Sequence, residues 1–126
     1  MASHNDKGKW GELVAAEYLV KKGYSICHRN WRCGRRDLDI VALADGGEPL
    51  VVVEVKTRGN EEVMHPEDAV DPRKIRNLCI AAHTYVQRHQ LDCGVRFDII
   101  TVVGDSEHYH VDHVEDAFLP PLGMRL

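Results

Sequence analysis

At 126 residues, with 44% hydrophobic and 29% charged content, the chain is expected to form one compact domain spanning residues 1–126. A formal net charge of −4 argues against a protein that coats nucleic acid by bulk electrostatics. No run approaches the roughly 20 apolar residues of a membrane span, and the opening MASHNDKGKWGE lacks the apolar region of a secretory signal, so a cytoplasmic protein without a membrane partner is expected.

In chain order, Trp10, Leu13, Val14, Tyr18 and Leu19 recur at helical spacing, and Gly23 after Lys21 and Lys22 is a stop signal. This predicts a first helix over about residues 6–22. YSICHRNW then has strand character, residues 33–36 read as a loop, and DLDIVALA and LVVVEVKT form two strands of a hairpin around DGGEP. Asp71 followed by Pro72 marks a helix start, with Ile75, Leu78, Cys79, Ala82 and Val86 on one face of a helix reaching about residue 89. RFDIITVV is a fourth strand and HYHVDHV a fifth. The order αβββαββ implies an α/β fold with a mixed sheet flanked by helices. Cys27, Cys33, Cys79 and Cys93 form no CxxC pair and read as free thiols.

Charge is segregated along the chain. No acid lies between Tyr18 and Arg36, a segment with Lys21, Lys22, Arg29, Arg32, Arg35 and Arg36 interleaved with Tyr24, His28 and Trp31. This marks either a local basic face for phosphates or a solvated charged rim. Arg58, Arg73, Lys74 and Arg76 are further candidates for phosphate contacts, and Trp31 for stacking on an unpaired base.

The hairpin poses the chemical question, because Asp39, Glu54 and Lys56 are charged inside otherwise apolar strands. Alternate residues of a strand share a face, about 6.6 Å apart, so Glu54 and Lys56 point one way while Val51, Val53 and Val55 point the other. Asp37 and Asp39 likewise share a face. The short turn makes the strands neighbours, so Asp39 and Glu54 converge. Close carboxylates repel and need a cation. Mg²⁺ takes oxygen ligands at about 2.0–2.1 Å and uses one or two protein carboxylates, which Asp39 and Glu54 would supply. The alternative is an ordinary ion pair between Glu54 and Lys56 at a sheet edge. Glu12 adds a third carboxylate on the inward face of helix one, with Ala15, Ala16 and Leu19; it also has a simpler reading as a first-turn acid favoured by the helix dipole.

Gly11-Glu12 with Ala16 and Leu19, Gly23-Tyr24, Arg29-Asn30-Trp31-Arg32, residues 37–42 (DLDIVA), residues 53–58 (VEVKTR), Lys74 and Arg96-Phe97-Asp98 occur together in this order. This combination resembles the YraN-like family of small bacterial proteins, over roughly residues 7–103, with 104–126 left as a terminal strand and tail. That family in turn resembles Holliday-junction resolvases of the PD-(D/E)XK nuclease superfamily.

The resemblance implies a restriction-endonuclease-like fold and a Mg²⁺- or Mn²⁺-dependent endonuclease acting on branched or single-stranded DNA, with a homodimer as the expected assembly. It makes Asp39 and Glu54 the metal carboxylates, with the backbone carbonyl of Val55 as a further ligand, Lys56 the lysine of the motif, and Glu12 the helix-one acid. The chain departs from the family pattern where Asp37 follows Arg36 in place of a glutamate after glycine, the glycine standing at Gly34, and where Val52 replaces an aromatic residue. A second reading is a catalytically silent nuclease fold that binds nucleic acid or a protein partner. Beyond the resemblance, His108, His110 and His113 in EHYHVDHVED read either as a transition-metal site or as a polar edge strand. Arg96 and Asp98, on one face of strand four, read as an internal pair supporting the sheet.

Overall fold

The computed structural model describes residues 4–59 and 71–120. Its elements are α1 (His4–Lys21), β1 (Ser25–Cys33), β2 (Arg36–Leu43), β3 (Leu50–Arg58), α2 (Pro72–Arg88), β4 (Val95–Gly104) and β5 (Tyr109–Val114), the expected αβββαββ order. The chain beyond residue 120 lies outside the described residues.

The element ends have local causes. Gly23, at φ 95°, closes α1: its N–H donates to the Val20 carbonyl and the Tyr24 N–H to the Leu19 carbonyl, both at 3.0 Å. At the start of α2 the Asp71 carboxylate accepts the Lys74 N–H at 2.8 Å, and Pro72 follows where no N–H is needed. The connection expected as a four-residue loop is a two-residue turn instead. Cys33 pairs with Arg36 across Gly34 and Arg35, so β1 and β2 form a second hairpin. Gly34 makes the tight turn affordable to the backbone by adopting φ 62°.

The strands form one sheet in the order β1-β2-β3-β4-β5, antiparallel except for the parallel pair β3 and β4, which α2 connects. Strand alternation divides the core between the two faces. Val51, Val53, Ile40 and Ala42 pack with Val14, Ala15, Ala16 and Leu19 of α1. Leu50, Val52 and Val41 pack with Leu78, Cys79, Ala82 and Tyr85 of α2. Each helix therefore seals one side of the sheet. All four cysteines are free. Among the described residues no helix is long and apolar enough to cross a membrane.

Helix α1 packs through a smaller stripe than its apolar spacing predicts. Leu13 is 45% exposed, while Gly11, Val14, Ala15 and Leu19 are buried. Small side chains let the helix approach β3 closely: a Cβ placed on Gly11 would fall onto the Thr57 side chain, 3.2 Å from its Cβ. Gly11 is thus the point where α1 rests on β3, one residue before Glu12. Gly11→Ala is expected to lower stability by about 1–3 kcal/mol through overpacking. Thermal unfolding of the single variant and of Gly11→Ala combined with Thr57→Ala checks this, the second change recovering part of the loss.

Candidate functional site

The ladder between β2 and β3 runs from the pair Leu43 and Leu50 to the pair Ile40 and Val53, and stops there. The next facing positions are Asp39 and Glu54. At that point a side chain takes over from the backbone: the Val55 N–H donates to Asp39 Oδ2 at 2.9 Å. A strand's N–H groups lie in the plane of its sheet, so the Asp39 carboxylate is held between the strands, near the sheet plane. The β1 side is irregular at the same level. Asn30, flanked by the pairs Arg29–Ile40 and Trp31–Leu38, has φ 55°. Leu38 joins Val41 in the core under α2, which breaks the alternation of β2 at Asp39.

Glu12, expected as a third carboxylate beside Asp39 and Glu54, does not share a face of the sheet with Glu54. Glu54 follows the parity of Leu50 and Val52 and points to the α2 side, where Lys74 Nζ lies 3.3 Å from its Oε1. Glu12 comes from α1, on the opposite face. Asp39, seated between the strands, is the group that both reach. Burial is the largest cause that raises its pKa; Glu54 adds to it, the Val55 N–H opposes it, and Glu12 and Asp37 add further, pushing it up to about 7. Glu54 is also raised by burial, against the opposing influence of Lys74 and then Lys56. The direct ion-pair partner of Glu54 among the described residues is therefore Lys74, not the Lys56 suggested by strand spacing. No three of Glu12, Asp37, Asp39 and Glu54 bring ligand atoms all within 4.8 Å of one another.

A cleft of about 360 Å³ opens here, lined by Lys7 and Gly8 of α1 and by Glu54, Val55, Lys56, Thr57 and Arg58 of β3. The tertiary structure gathers cations at this end of the sheet. The tip of the β1–β2 hairpin carries Arg32, Arg35 and Arg36, and the first turns of α2 carry Arg73, Lys74 and Arg76. Arg36 Nε donates to Asn77 Oδ1 at 3.2 Å, tying that hairpin to α2. The acidic β2–β3 turn, with Asp45 and Glu48, lies at the other end. Arg29, Arg32 and Arg35 are exposed. Trp31 is employed differently from the stacking platform expected of it: its ring packs edge-on to Tyr85 at 5.1 Å, with the Arg88 guanidinium over it.

A second ionic centre lies under β4 and β5. The described residues hold one group whose ligand atoms could share a metal ion: Asp98, His113 and Glu115, within 4.8 Å of one another. The protein's own groups already fill it. Arg96 grips the fully buried Asp98 through Nε at 2.9 Å and Nη2 at 2.8 Å, and Nη2 also lies 3.5 Å from Glu115. His113 Nε2 lies 2.7 Å from Asp98, its Nδ1 is 3.0 Å from the Tyr18 hydroxyl, and the Asp116 N–H adds a fourth bond to Asp98. Despite burial, hydrogen bonds from His113 and Arg96 hold the Asp98 pKa down to about 2. The internal Arg96–Asp98 pair is thus as expected from strand parity, whereas the role of His113 is not. It leaves the company of His108 and His110, and His110 meets Asp112 at the exposed edge at 3.4 Å. No local sequence signal links His113 to Asp98 and Tyr18.

The model of the family described as "Uncharacterised protein family UPF0102" matches residues 11–102. The chain belongs to this family. A UPF0102 protein of Phocaeicola vulgatus is 50% identical over 122 residues, covering 97% of this chain and 99% of the relative. One from Bacteroides fragilis is 51% identical over 122 residues, with the same coverage, and one from Flavobacterium psychrophilum is 45% identical over 118 residues, 94% of this chain and 98% of the relative. Membership in UPF0102 agrees with the YraN-like resemblance read from the motifs. Among solved structures, that of Pyrococcus furiosus SfsA in complex with Ca²⁺ aligns with a TM-score of 0.40 and 18% identity, covering 86% of this chain and 62% of that one. The UPF0102 match contains Glu12, Asp39, Glu54, Lys56 and Lys74, and leaves out His113 and Glu115.

The two ionic centres respond oppositely to pH. Asp39 has its folded pKa raised from 3.8 to about 7, so between those values the folded protein retains a proton that the unfolded chain has lost. Its contribution makes stability fall as pH rises through that interval. Asp39→Asn is therefore expected to stabilise the protein by ~2 kcal/mol at pH 8, with the gain vanishing near pH 4, as measured by denaturant unfolding. Asp98, held near 2, stabilises above its ordinary value of 3.8 and loses that contribution as pH falls toward 2. Asp98→Ala should cost about 3–5 kcal/mol at pH 7, because it strands Arg96 and His113, and the difference from wild type should shrink below about pH 4.

Proposed function

We propose that this chain is a metal-dependent endonuclease with a PD-(D/E)XK-type fold, one nuclease-like domain acting on structured or branched DNA. The observation that supports it best is the Asp39 carboxylate, caught by the Val55 N–H where β2 and β3 part, next to Glu54 and with its pKa raised to about 7. Partly buried carboxylates that repel one another form a site completed by added positive charge. Asp39, Glu54 and the Val55 carbonyl are all oxygen donors, the set that Mg²⁺ and Mn²⁺ prefer. A divalent ion bound there would polarise a phosphoryl oxygen and make a bound water more acidic.

The chain's own groups would do the rest. Lys56 lines the cleft beside Glu54, where its ammonium would orient the attacking water or offset charge on the phosphoryl transition state. Glu12 adds negative potential to Asp39 from the α1 side, favouring an added cation. Lys7 and Arg58 line the cleft, and the hairpin tip and the start of α2 carry further arginines at the same end of the sheet, which would supply positive charge for a phosphate backbone despite the acidic total.

The test is incubation of the purified protein with flaps, four-way junctions and single strands in Mg²⁺ or Mn²⁺. Wild type should cut at least one of these, and Asp39→Asn and Lys56→Ala should each lower the rate on the order of 10²-fold or more while remaining folded. Binding that survives both substitutions, with no cleavage by wild type in either metal, would instead support a nuclease fold used for binding. Because protons compete for Asp39, apparent Mn²⁺ affinity should fall as pH drops below about 7, measurable by titration calorimetry.

A further inference from the structure

We propose that Lys74 is a placeholder cation: it holds Glu54 until a divalent ion arrives, then transfers to a phosphate of the nucleic acid, so that metal and nucleic acid bind cooperatively. This rests on the metal site proposed above.

Lys74 Nζ lies 3.3 Å from Glu54 Oε1, with the lysine side chain half exposed and the glutamate side chain 11% exposed. An ammonium at that distance occupies the approach that a divalent ion needs to reach the same oxygen at about 2.1 Å. The two cations exclude each other by space and by charge. The lysine end of the pair is in contact with solvent, which gives its ammonium a route away from Glu54. Its reach is nevertheless confined. The Lys74 N–H is fixed by the Asp71 cap at 2.8 Å, so the backbone stays in place while Nζ swings on its four-carbon stem.

Charge at the start of α2 supplies a second, independent reason. The N-terminal end of a helix favours anions, yet the first turn of α2 contains no acid and carries Arg73 and Lys74, with Arg76 just beyond. The Asp71 cap carboxylate offsets part of that charge, and a further anion close to Lys74 offsets more of it. Glu54 is that further anion in the present structure, through its pair with Lys74. Once an ion draws the Glu54 charge to itself, a phosphate brought to the adjoining cleft is the anion that replaces it. Metal binding without nucleic acid must displace Lys74 and deprive its ammonium of Glu54, with the Asp71 cap as the remaining acid at the helix start. With nucleic acid present the lysine changes partner and that penalty disappears, which by linkage makes each ligand strengthen the other.

The experiment is Mn²⁺ titration of the full chain at fixed pH and salt, with and without a phosphorothioate DNA that resists cleavage, for wild type, Lys74→Gln and Lys74→Arg. Lys74→Gln should bind Mn²⁺ alone about five-fold or more tighter than wild type. The DNA should tighten Mn²⁺ binding in wild type and in Lys74→Arg, but not in Lys74→Gln. Unchanged or weaker Mn²⁺ binding by Lys74→Gln with an unaltered thermal midpoint overturns the exchange, as does a DNA effect that persists in that variant. A wild type that binds no Mn²⁺ at all overturns the metal site itself, and the exchange with it.

Discussion

The hydrogen bond from the Val55 N–H to Asp39 is the interaction on which the candidate site depends. Two antiparallel strands normally continue their ladder until a turn or an edge ends it. Here the pairing of β2 with β3 stops at Ile40 and Val53, and a carboxylate is inserted where a backbone carbonyl would otherwise accept. The cleft lined by Lys7, Gly8 and residues 54–58 lies beside this point, and the same bond keeps Asp39 from relaxing into solvent. An acid held in this way beside Glu54 binds its proton tightly, the electrostatic condition for a site that gains from a cation. Gly11 supports the geometry from the other face by letting α1 lie directly on β3 at Thr57.

The two buried acids of the sheet show what compensation does. Asp98 is more deeply buried than Asp39, yet its pKa is lowered, because a guanidinium, an imidazole and a backbone N–H surround it. That carboxylate is finished business: its charge is spent on joining β4 and β5 to Tyr18 of α1. Asp39 receives one backbone N–H and is pressed by three other acids. The contrast separates a compensated ionic network from an uncompensated one, although both centres are built from the same kinds of side chain.

Charge distribution follows the same division. The chain is acidic in total, but the hairpin tip, the end of β3 and the starts of both helices meet at the Asp39 end, and their lysines and arginines meet with them. The basic run from Lys21 to Arg36 is therefore divided between several surroundings. Its hairpin-tip arginines stand at the Asp39 end of β2, whereas Lys22 donates to the hydroxyl of Tyr18 at 3.2 Å and Trp31 packs against α2. A helix whose first turn is basic, as in α2, belongs to this gathering and would be costly elsewhere.

The order of elements, both helix boundaries set by Gly23 and Asp71, and the division of β3 into two faces were legible in the sequence, because caps, turns and alternation act over a few residues. So was the juxtaposition of Asp39 and Glu54, which a short hairpin enforces. Other features came from the tertiary structure alone. The buried stripe of α1 was chosen by how closely a helix can approach β3, which favours Gly11 and Ala15 over Leu13. The break in β2 moved Asp39 off a single face, the start of α2 brought Lys74 to Glu54, and packing of β5 on β4 carried His113 to Asp98. Each of those contacts joins residues far apart in the chain, or depends on a local distortion that only the packed sheet imposes. Spacing rules see residue type and periodicity, and these pairings were settled by which surfaces came within hydrogen-bonding distance once both faces of the sheet were covered.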